Sequence, residues 1–438
     1  MSGGLRVLVA MSGGVDSGVA AALLAEQGHD VTGVTLRLWC HGHVPAAPRA
    51  CCTLEAIEQA RAVARRMGFP HFVVEAEEVF RARVLQPFLD DYAAGRTPYP
   101  CALCNQHLKF GDLLARMRTL GADRLATGHY ARIEPRAGGA PALLRALDAA
   151  KDQSYALALT PRAALPHLVF PLGALTKAEV RAHGRRLGLE PWDRPESQDL
   201  CFVPDGDYAG FIAKQPGGTR GTTPGPFVDR DGRRLGTHRG IIHYTVGQRR
   251  GVGLTAAEPL YVLAVDAARN AVVVGPRAAL EAPGLVTARI DWLADPPPAA
   301  GAGAVVKIRY NHAGAPATLH PRAGGACEAR FAAPQAAVTP GQLAVFYDGE
   351  RVLGGAAIER ALLSDEAAMP DEAATRGDAV RRDDTAARGA AATRDEAAGP
   401  DAATRDEVAA RDDRATRGAA APAGDHAPGH ASAGAPAA

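Results

Sequence analysis

The chain holds 438 residues, 47% hydrophobic and only 5% aromatic, with a formal net charge of +1. At roughly 150 residues per domain that is length for two or three cores, and no stretch reaches the ~18 consecutive apolar residues of a membrane-spanning helix. The opening MSGGLRVLVAMSGG lacks a basic start, a long apolar run and a cleavage site, so the sequence reads as cytoplasmic, with no membrane partner.

Taken in chain order, LRVLVAM (5–11) predicts a first strand. A Gly-containing loop follows, and VDSGVAAALLAEQ then has the spacing of a helix that stops at Gly28. DVTGVTLRLW predicts a second strand. After a loop bearing Cys40, Cys51 and Cys52, TLEAIEQARAVARRM starts at a capping Thr53 and ends at Gly68, with HFVVEA as a third strand. A further helix is expected from about Asn105 to Leu120, and RLATGHYAR after Gly121 as another strand. Repeated strand–helix units imply an α/β domain over 1–205, with a doubly wound parallel sheet.

From Gly206 onward the texture predicts mainly β structure. LYVLAVDAARNAVVVG reads as strand, turn, strand, and AVFYDGERVLGG carries an Asp348-Gly349 hairpin turn. We divide this part into a central, mainly β domain (206–282) and a C-terminal β-barrel-like domain (283–362). The proline-rich ADPPPAAGAGA (294–304) is a soft boundary inside or between two β units. Residues 363–438 read as a disordered tail of Ala, Arg, Asp, Gly and Pro, in which AATRDE occurs at 391–396 and 402–407. From Asp365 on there are 15 acidic and 9 basic residues, leaving 33 acidic and 40 basic and about +7 on the body, a balance that suits a polyanionic partner as well as an ordinary enzyme.

SGGVDS (Ser12–Ser17) lies between the first strand and the first helix. Glycines there let backbone N–H groups face an anion, and the helix N-terminus adds partial positive charge. The loop lacks the lysine of GxxxxGK[ST] and is not GxGxxG, and Gly-rich turns of this kind also occur without a phosphate. YPCALCNQ (99–106) sets Cys101 and Cys104 three apart, the spacing of half a zinc site, a redox pair or a chance doublet. Seven cysteines fit no extracellular disulfide framework. Cys40, His41, His43, Cys51 and Cys52 could be imagined as a zinc cluster but match no standard zinc pattern, and read as a flexible active-site loop containing incidental thiols. Cys327 reads as a small buried hydrophobe. In GQRRG (247–251), Arg249 and Arg250 suit phosphates and equally a solvated face.

SGGVDS resembles the PP-loop of the ATP pyrophosphatases, which adenylate a carbonyl oxygen. GRTPYPCALCNQHLKF (95–110), ATGHYAR (126–132), KDQSYAL (151–157), ESQDLCF (196–202), YTVGQRRGVGL (244–254), KIRY (307–310) and GQLAVFYDGERVLGG (341–355) extend the likeness. In this order and spacing they resemble the tRNA-specific 2-thiouridylases over residues 1 to about 362. The resemblance implies a PP-loop, adenine nucleotide hydrolase-like fold for the first domain, and replacement of the C2 oxygen of the wobble uridine by sulfur. It implies an ATP site of Ala10, Met11, Ser12, Gly13, Gly14, Val15, Asp16, Ser17, Leu36 and Gly128, with Mg²⁺ near Asp16. Cys104 and Cys201 become the catalytic pair, Cys201 carrying a persulfide that Cys104 attacks. Tyr99, Pro100 and Cys101 lie against the flipped base, although Tyr99 departs from the Asn common there. Lys151, Asp152, Gln153, Arg309 and Tyr310 touch tRNA at its anticodon loop, with His129 and Gln342 helping to fix which tRNA is accepted. The sulfur donor is a sulfur-relay protein or a cysteine desulfurase.

Cys101 opens a second route, because Cys101, Cys104 and Cys201 are a ligand set for a 4Fe-4S cluster that leaves one iron open. Two rival functions stand beside thiolation. One is a PP-loop ligase amidating or adenylating a small molecule, which needs neither tRNA-gripping β units nor a distant cysteine. The other is a non-catalytic iron–sulfur or zinc module that binds RNA, which leaves SGGVDS unexplained.

Overall fold

The computed structural model describes residues 4–38, 54–136, 139–189, 200–203, 206–218, 220–296 and 301–362. Cys40, His41, His43, Cys51, Cys52, the capping Thr53, most of the ESQDLCF segment and the 363–438 tail lie outside them.

The first domain begins with β1 (Arg6–Ala10), α1 (Val15–Glu26), β2 (Asp30–Arg37), α2 (Leu54–Met67) and β3 (His71–Glu75). Two long helical runs follow, α3 (77–93) and α4 (100–119), then β4 (Arg124–Thr127), a hairpin of β5 (Ala131–Arg136) and β6 (Gly139–Arg145), the short β7 (Leu168–Val169) and α5 (Lys177–Arg186). The parallel sheet has the order β3-β2-β1-β4-β7. Its central strand is buried on both faces, as a doubly wound sheet requires. Val7 and Val9 pack with Ala21, Leu24 and Ala60 of α1 and α2. Leu8 faces the other way, onto Leu113 and Met117 of α4.

Strand order reverses between β1 and β4, so a crevice opens at the C-terminal ends of these two strands, the usual ligand position in an open α/β sheet. The loop after β1 is SGGVDS, and the turn after β4 is Gly128-His129-Tyr130.

That turn corrects one expectation. RLATGHYAR is not one strand: the chain leaves the sheet at Gly128, and Ala131 begins a hairpin belonging to another sheet. Physically, Gly128 is jammed against α1, where a Cβ would come 2.7 Å from the Ser17 amide nitrogen. The α4 helix also starts earlier than expected, at Pro100, whose missing N–H suits a first turn. From Cys104 to Leu113 it widens to π-helical form, and Gly111 stands where a Cβ would come 2.9 Å from the Gln106 carbonyl oxygen.

Beyond the helix α6 (Tyr208–Ala213), the central unit contains β8 (Gly225–Val228), β9 (Arg234–His238), β10 (Tyr261–Asp266) and β11 (Ala271–Gly275), in the order β10-β11-β8-β9. Phe227, Tyr244, Val262, Val272 and Val274 form its core. The last unit comprises β12 (Glu281–Thr287), β13 (Asp291–Trp292), β14 (Ala302–Lys307), β15 (Ala315–Pro321), β16 (Cys327–Ala336), β17 (Leu343–Asp348) and β18 (Arg351–Ala361). The order β12-β16-β15-β14-β17-β18 closes on itself through β12–β18 pairing, which makes a barrel. The described ends of the proline-rich stretch, up to Pro296 and from Gly301, follow β13 and lead into β14 of this unit. The β5–β6 hairpin reaches out of the first domain to pair with β18 at Leu144 and Arg351, and the Arg145 amide donates to the Glu350 carbonyl.

Candidate active site

At the end of β1, Ala10 pairs with Val34 and Thr127, and the buried Met11 donates its amide to the Val34 carbonyl. Gly13 turns the chain with φ +74°, and a Cβ there would come 2.2 Å from the Ala56 carbonyl oxygen. Ser17 Oγ donates to the Gly14 carbonyl at 3.1 Å, receives the Ser12 amide at 3.1 Å and lies 3.3 Å from Ser12 Oγ. The loop thus braces itself while Ser12 and Gly14 stay exposed, and no side chain caps α1 at Gly14. A helix start left this way suits an anion. Val15 opens α1 and Gly128 presses on its first turn.

Asp16 Oδ1 receives the Tyr130 hydroxyl at 2.9 Å and the Lys177 ammonium at 2.6 Å. Neither partner was marked by the sequence reading. T-x-x-E at Thr176 and Glu179 announces the start of α5, and both halves of that capping box form. It gives no sign that the next lysine reaches back 161 residues to the loop.

The two proposed catalytic cysteines are brought to one place. Cys104 and Cys201 are both half-buried on the apolar cluster of Phe80, Phe88, Leu108 and Phe202. The Phe202 ring packs edge-on to Phe80 and Phe88, with centroids 5.3 Å away in each case, which anchors its neighbour Cys201 to α3. Leu36 and Leu103 belong both to this cluster and to the core under the sheet, so they link the nucleotide end to the thiols. Cys101 is exposed. Among the described residues no group of three or more His, Cys, Asp or Glu side chains stands where it would hold a metal ion. Cys101 is more accessible than Cys104 and Cys201, which rest on the apolar cluster. Cys327 is buried, and burial pushes its thiol up to about 11.

The loop ahead of Cys101 is gripped from both β units. Thr97 Oγ1 donates to Thr245 Oγ1 at 3.1 Å, and its amide donates to the Pro340 carbonyl. Gln342 Nε2 donates to the Thr97 and Pro98 carbonyls at 2.9 and 3.3 Å. Tyr99 packs edge-on to Tyr155, whose hydroxyl donates to the Leu343 carbonyl and whose ring also meets Tyr310. Burial, with Cys101 nearby, raises the Tyr99 phenol far above its ordinary range, so it stays protonated. Pro100 is buried at the helix start.

The other expected tRNA contacts fall into two kinds. Arg309 and Tyr310 are exposed at the end of β14, and Lys151 is partly exposed, as are Arg249 and Arg250 more fully in the central unit. Asp152 is instead buried, accepting from the Ala146 and Ser154 amides and from Ser154 Oγ. Gln153 exchanges hydrogen bonds with the Tyr130 backbone, its Oε1 receiving the Tyr130 amide at 3.0 Å. His129 packs between Phe110 and Phe170 and bonds Thr127 Oγ1 at 2.7 Å. Burial, then the Lys109 charge, hold it well below the usual imidazole range, so it is neutral at pH 7. Asn105, expected as the start of a helix, lies inside α4 and ties it to the Ala156 carbonyl through Nδ2, while sequence reasoning passed over Lys307, whose ammonium burial shifts down while Asp152 opposes the shift.

Comparison with known proteins now adds to this geometry. Three family profiles match, described as a tRNA methyl transferase HUP domain over residues 5–205, a tRNA methyl transferase PRC-barrel domain over 217–276 and an aminomethyltransferase beta-barrel domain over 283–358. The chain is 48% identical over 361 residues to a protein of Geotalea uraniireducens (strain Rf4) named tRNA-specific 2-thiouridylase MnmA, covering 82% of this chain and 96% of that one. It is 49% identical over 351 residues to the protein of the same name from Magnetococcus marinus, covering 80% and 98%.

Proposed function

The chain belongs to the tRNA-specific 2-thiouridylase family, and we propose that it is a tRNA-uridine 2-sulfurtransferase, replacing the C2 oxygen of the wobble uridine with sulfur in an ATP-dependent reaction. The observation that carries this reading is the convergence at one end of the sheet. An anion-suited loop and two half-buried cysteines share contiguous apolar clusters beside a loop held by both β units. A small-molecule ligase has no use for the second half of that arrangement, and a non-catalytic RNA-binding module has no use for the first. The profiles' word "methyl" finds no support in the pair of thiols, whereas sulfur transfer does.

The anticodon loop binds along accessible Lys151, Arg309 and Tyr310, and the wobble base is splayed from its stack, since a stacked edge is closed to attack. Behind them Asp152, Gln153 and Gln342 act as positioning residues, and Tyr99, Pro100 and Cys101 form the wall for the base. Neutral His129 shapes the site and does not pair with phosphate. The loop from Ala10 to Ser17, with Leu36 and Gly128, holds ATP. Asp16 is the carboxylate that would hold Mg²⁺, which when bound neutralises charge on the pyrophosphate.

Uridine O2 attacks the α-phosphorus, forming an oxygen–phosphorus bond as pyrophosphate leaves, so that the existing C2–O2 bond now has AMP as its departing group. Cys201 carries the outer sulfur of a persulfide delivered by a sulfur-relay protein or a cysteine desulfurase. Cys104 thiolate attacks the inner sulfur, forming a Cys104–Cys201 disulfide and releasing sulfide, which adds at C2 as AMP departs. ATP and tRNA as substrates place the reaction in the cytoplasm. Among the described residues no helix is long and apolar enough to cross a membrane.

Thiolation assays with a cysteine desulfurase as sulfur source test this route. Cys104→Ser and Cys201→Ser each lower 2-thiouridine formation by about 10³-fold or more. Cys101→Ala retains most activity, and anaerobically purified protein carries no iron. About four irons per chain with an inactive Cys101→Ala would overturn the persulfide route.

A further inference from the structure

The loop Ser12–Ser17 contains no lysine, although phosphate loops of the GxxxxGK[ST] kind rely on one to meet the outer phosphates. In this fold a lysine arrives from elsewhere. Lys177 Nζ lies 2.6 Å from Asp16 Oδ1, and its side chain is only 11% exposed. Its backbone is fixed independently: the Lys177 amide, directly after Thr176 and inside the Thr176–Glu179 capping box, donates to Asp148 Oδ2 at 2.9 Å.

Helix stability does not account for a lysine here. Lys177 is the first residue of α5, where the helix's partial positive charge disfavours a cation. Meanwhile Val180 of α5 and Leu187 just beyond its end pack with Val19, Ala20 and Ala22 of α1. Two helix starts and an ammonium thus converge on one carboxylate, and Tyr130 adds a hydroxyl donor to the same oxygen. Such a site carries excess positive character at the mouth of the loop, which suits a polyphosphate.

Resting on the ATP-dependent reading above, we propose that Lys177 is a substrate-binding residue that supplies, from α5, the phosphate-binding cation the loop lacks, contacting the β- and γ-phosphates of ATP. As uridine O2 bonds to the α-phosphorus, the bond from that phosphorus to the bridging oxygen breaks and its electron pair leaves with pyrophosphate. The Lys177 ammonium, already held beside Asp16, offsets the charge that grows there. AMP, which has no outer phosphates, gains nothing from it.

The test is binding of α,β-methylene-ATP and of AMP, each with Mg²⁺, to the full chain by calorimetry. Lys177→Met weakens α,β-methylene-ATP at least tenfold and leaves AMP within twofold, and Lys177→Arg recovers part of the loss. An Asp16→Asn background separates this role from mere support of Asp16: Lys177→Met still weakens α,β-methylene-ATP there, whereas a purely supporting lysine has no further effect. Equal losses for both nucleotides, or no loss, overturn the proposal while wild-type thiolation leaves the proposed function standing. A wild-type chain that binds neither nucleotide overturns both.

Discussion

Gly128 illustrates how a single position couples two strands to the chemistry. It ends β4 in a backbone any residue adopts, yet its Cα rests on the first turn of α1, so that a Cβ would meet Ser17 N at 2.7 Å and the Asp16 carbonyl carbon at 2.8 Å. Both atoms are backbone and have little room to yield. Gly128→Ala is therefore expected to raise the KM for ATP about tenfold, roughly 1.4 kcal/mol, with little change in tRNA affinity. Steady-state kinetics with each substrate varied check this, and an unchanged KM for ATP contradicts it. The reason for this glycine was hidden in the sequence, since the contact joins residues 111 apart in number, 128 and 17. Gly13 was more legible, because a Gly-rich turn between strand and helix announces a positive φ, here +74°. Asp152 shows the opposite case. A Lys-Asp-Gln run reads as an exposed polar stretch, and only the fold reveals that three donors from Ala146 and Ser154 bury the carboxylate.

Among the elements, α4 and the loop before it set the thiols. The sequence located this helix but began it near Asn105, a residue type that favours helix starts, whereas Pro100 is the first-turn residue. The π-helical stretch from Cys104 was not legible, since its wider turn depends on contacts such as Asn105 to Ala156 that lie far away in sequence. The loop at 97–99 is shaped chiefly by Gln342, whose amide satisfies two of its carbonyls. Gln342→Ala removes both bonds and loosens the approach to Cys101 and Cys104. About 1–2 kcal/mol of net hydrogen-bond stabilisation is at stake. We expect kcat/KM for tRNA to fall about tenfold while the KM for ATP holds. A loss confined to ATP would contradict the positioning role.

At the scale of the whole molecule, alternation of strands and helices made the doubly wound sheet legible, and hairpin signals such as Asp348-Gly349 made the β units legible. Closure of the barrel and the β5–β6 hairpin that extends it were not, because strand pairings such as β12–β18 and β6–β18 join distant segments. Burial across these units leaves a pH signature. Desolvation is the largest cause holding His71, His107, His129, His238, His243 and His312 below the ordinary imidazole value. The unfolded chain takes up protons near pH 6.5 and the folded chain only below that, so the unfolded state binds more protons in this window. Stability is fully present above pH 7 and is lost as pH falls from about 6.5 through the lowered folded values. Denaturant midpoints should drop between pH 7.5 and 5.5, and His129→Gln should flatten the drop. A midpoint that rises on acidification contradicts the assignment.

The central claim is that ATP cleavage and sulfur insertion are one reaction at one site. It is tested most directly by digesting the tRNA after turnover, quantifying its nucleosides by mass spectrometry, and measuring adenine nucleotides and pyrophosphate in the same mixture. The account predicts 2-thiouridine at the wobble position, with AMP and pyrophosphate formed in equal amounts and at least one of each per sulfur inserted. A methylated uridine, ADP as the nucleotide product, or 2-thiouridine formed without ATP would contradict it.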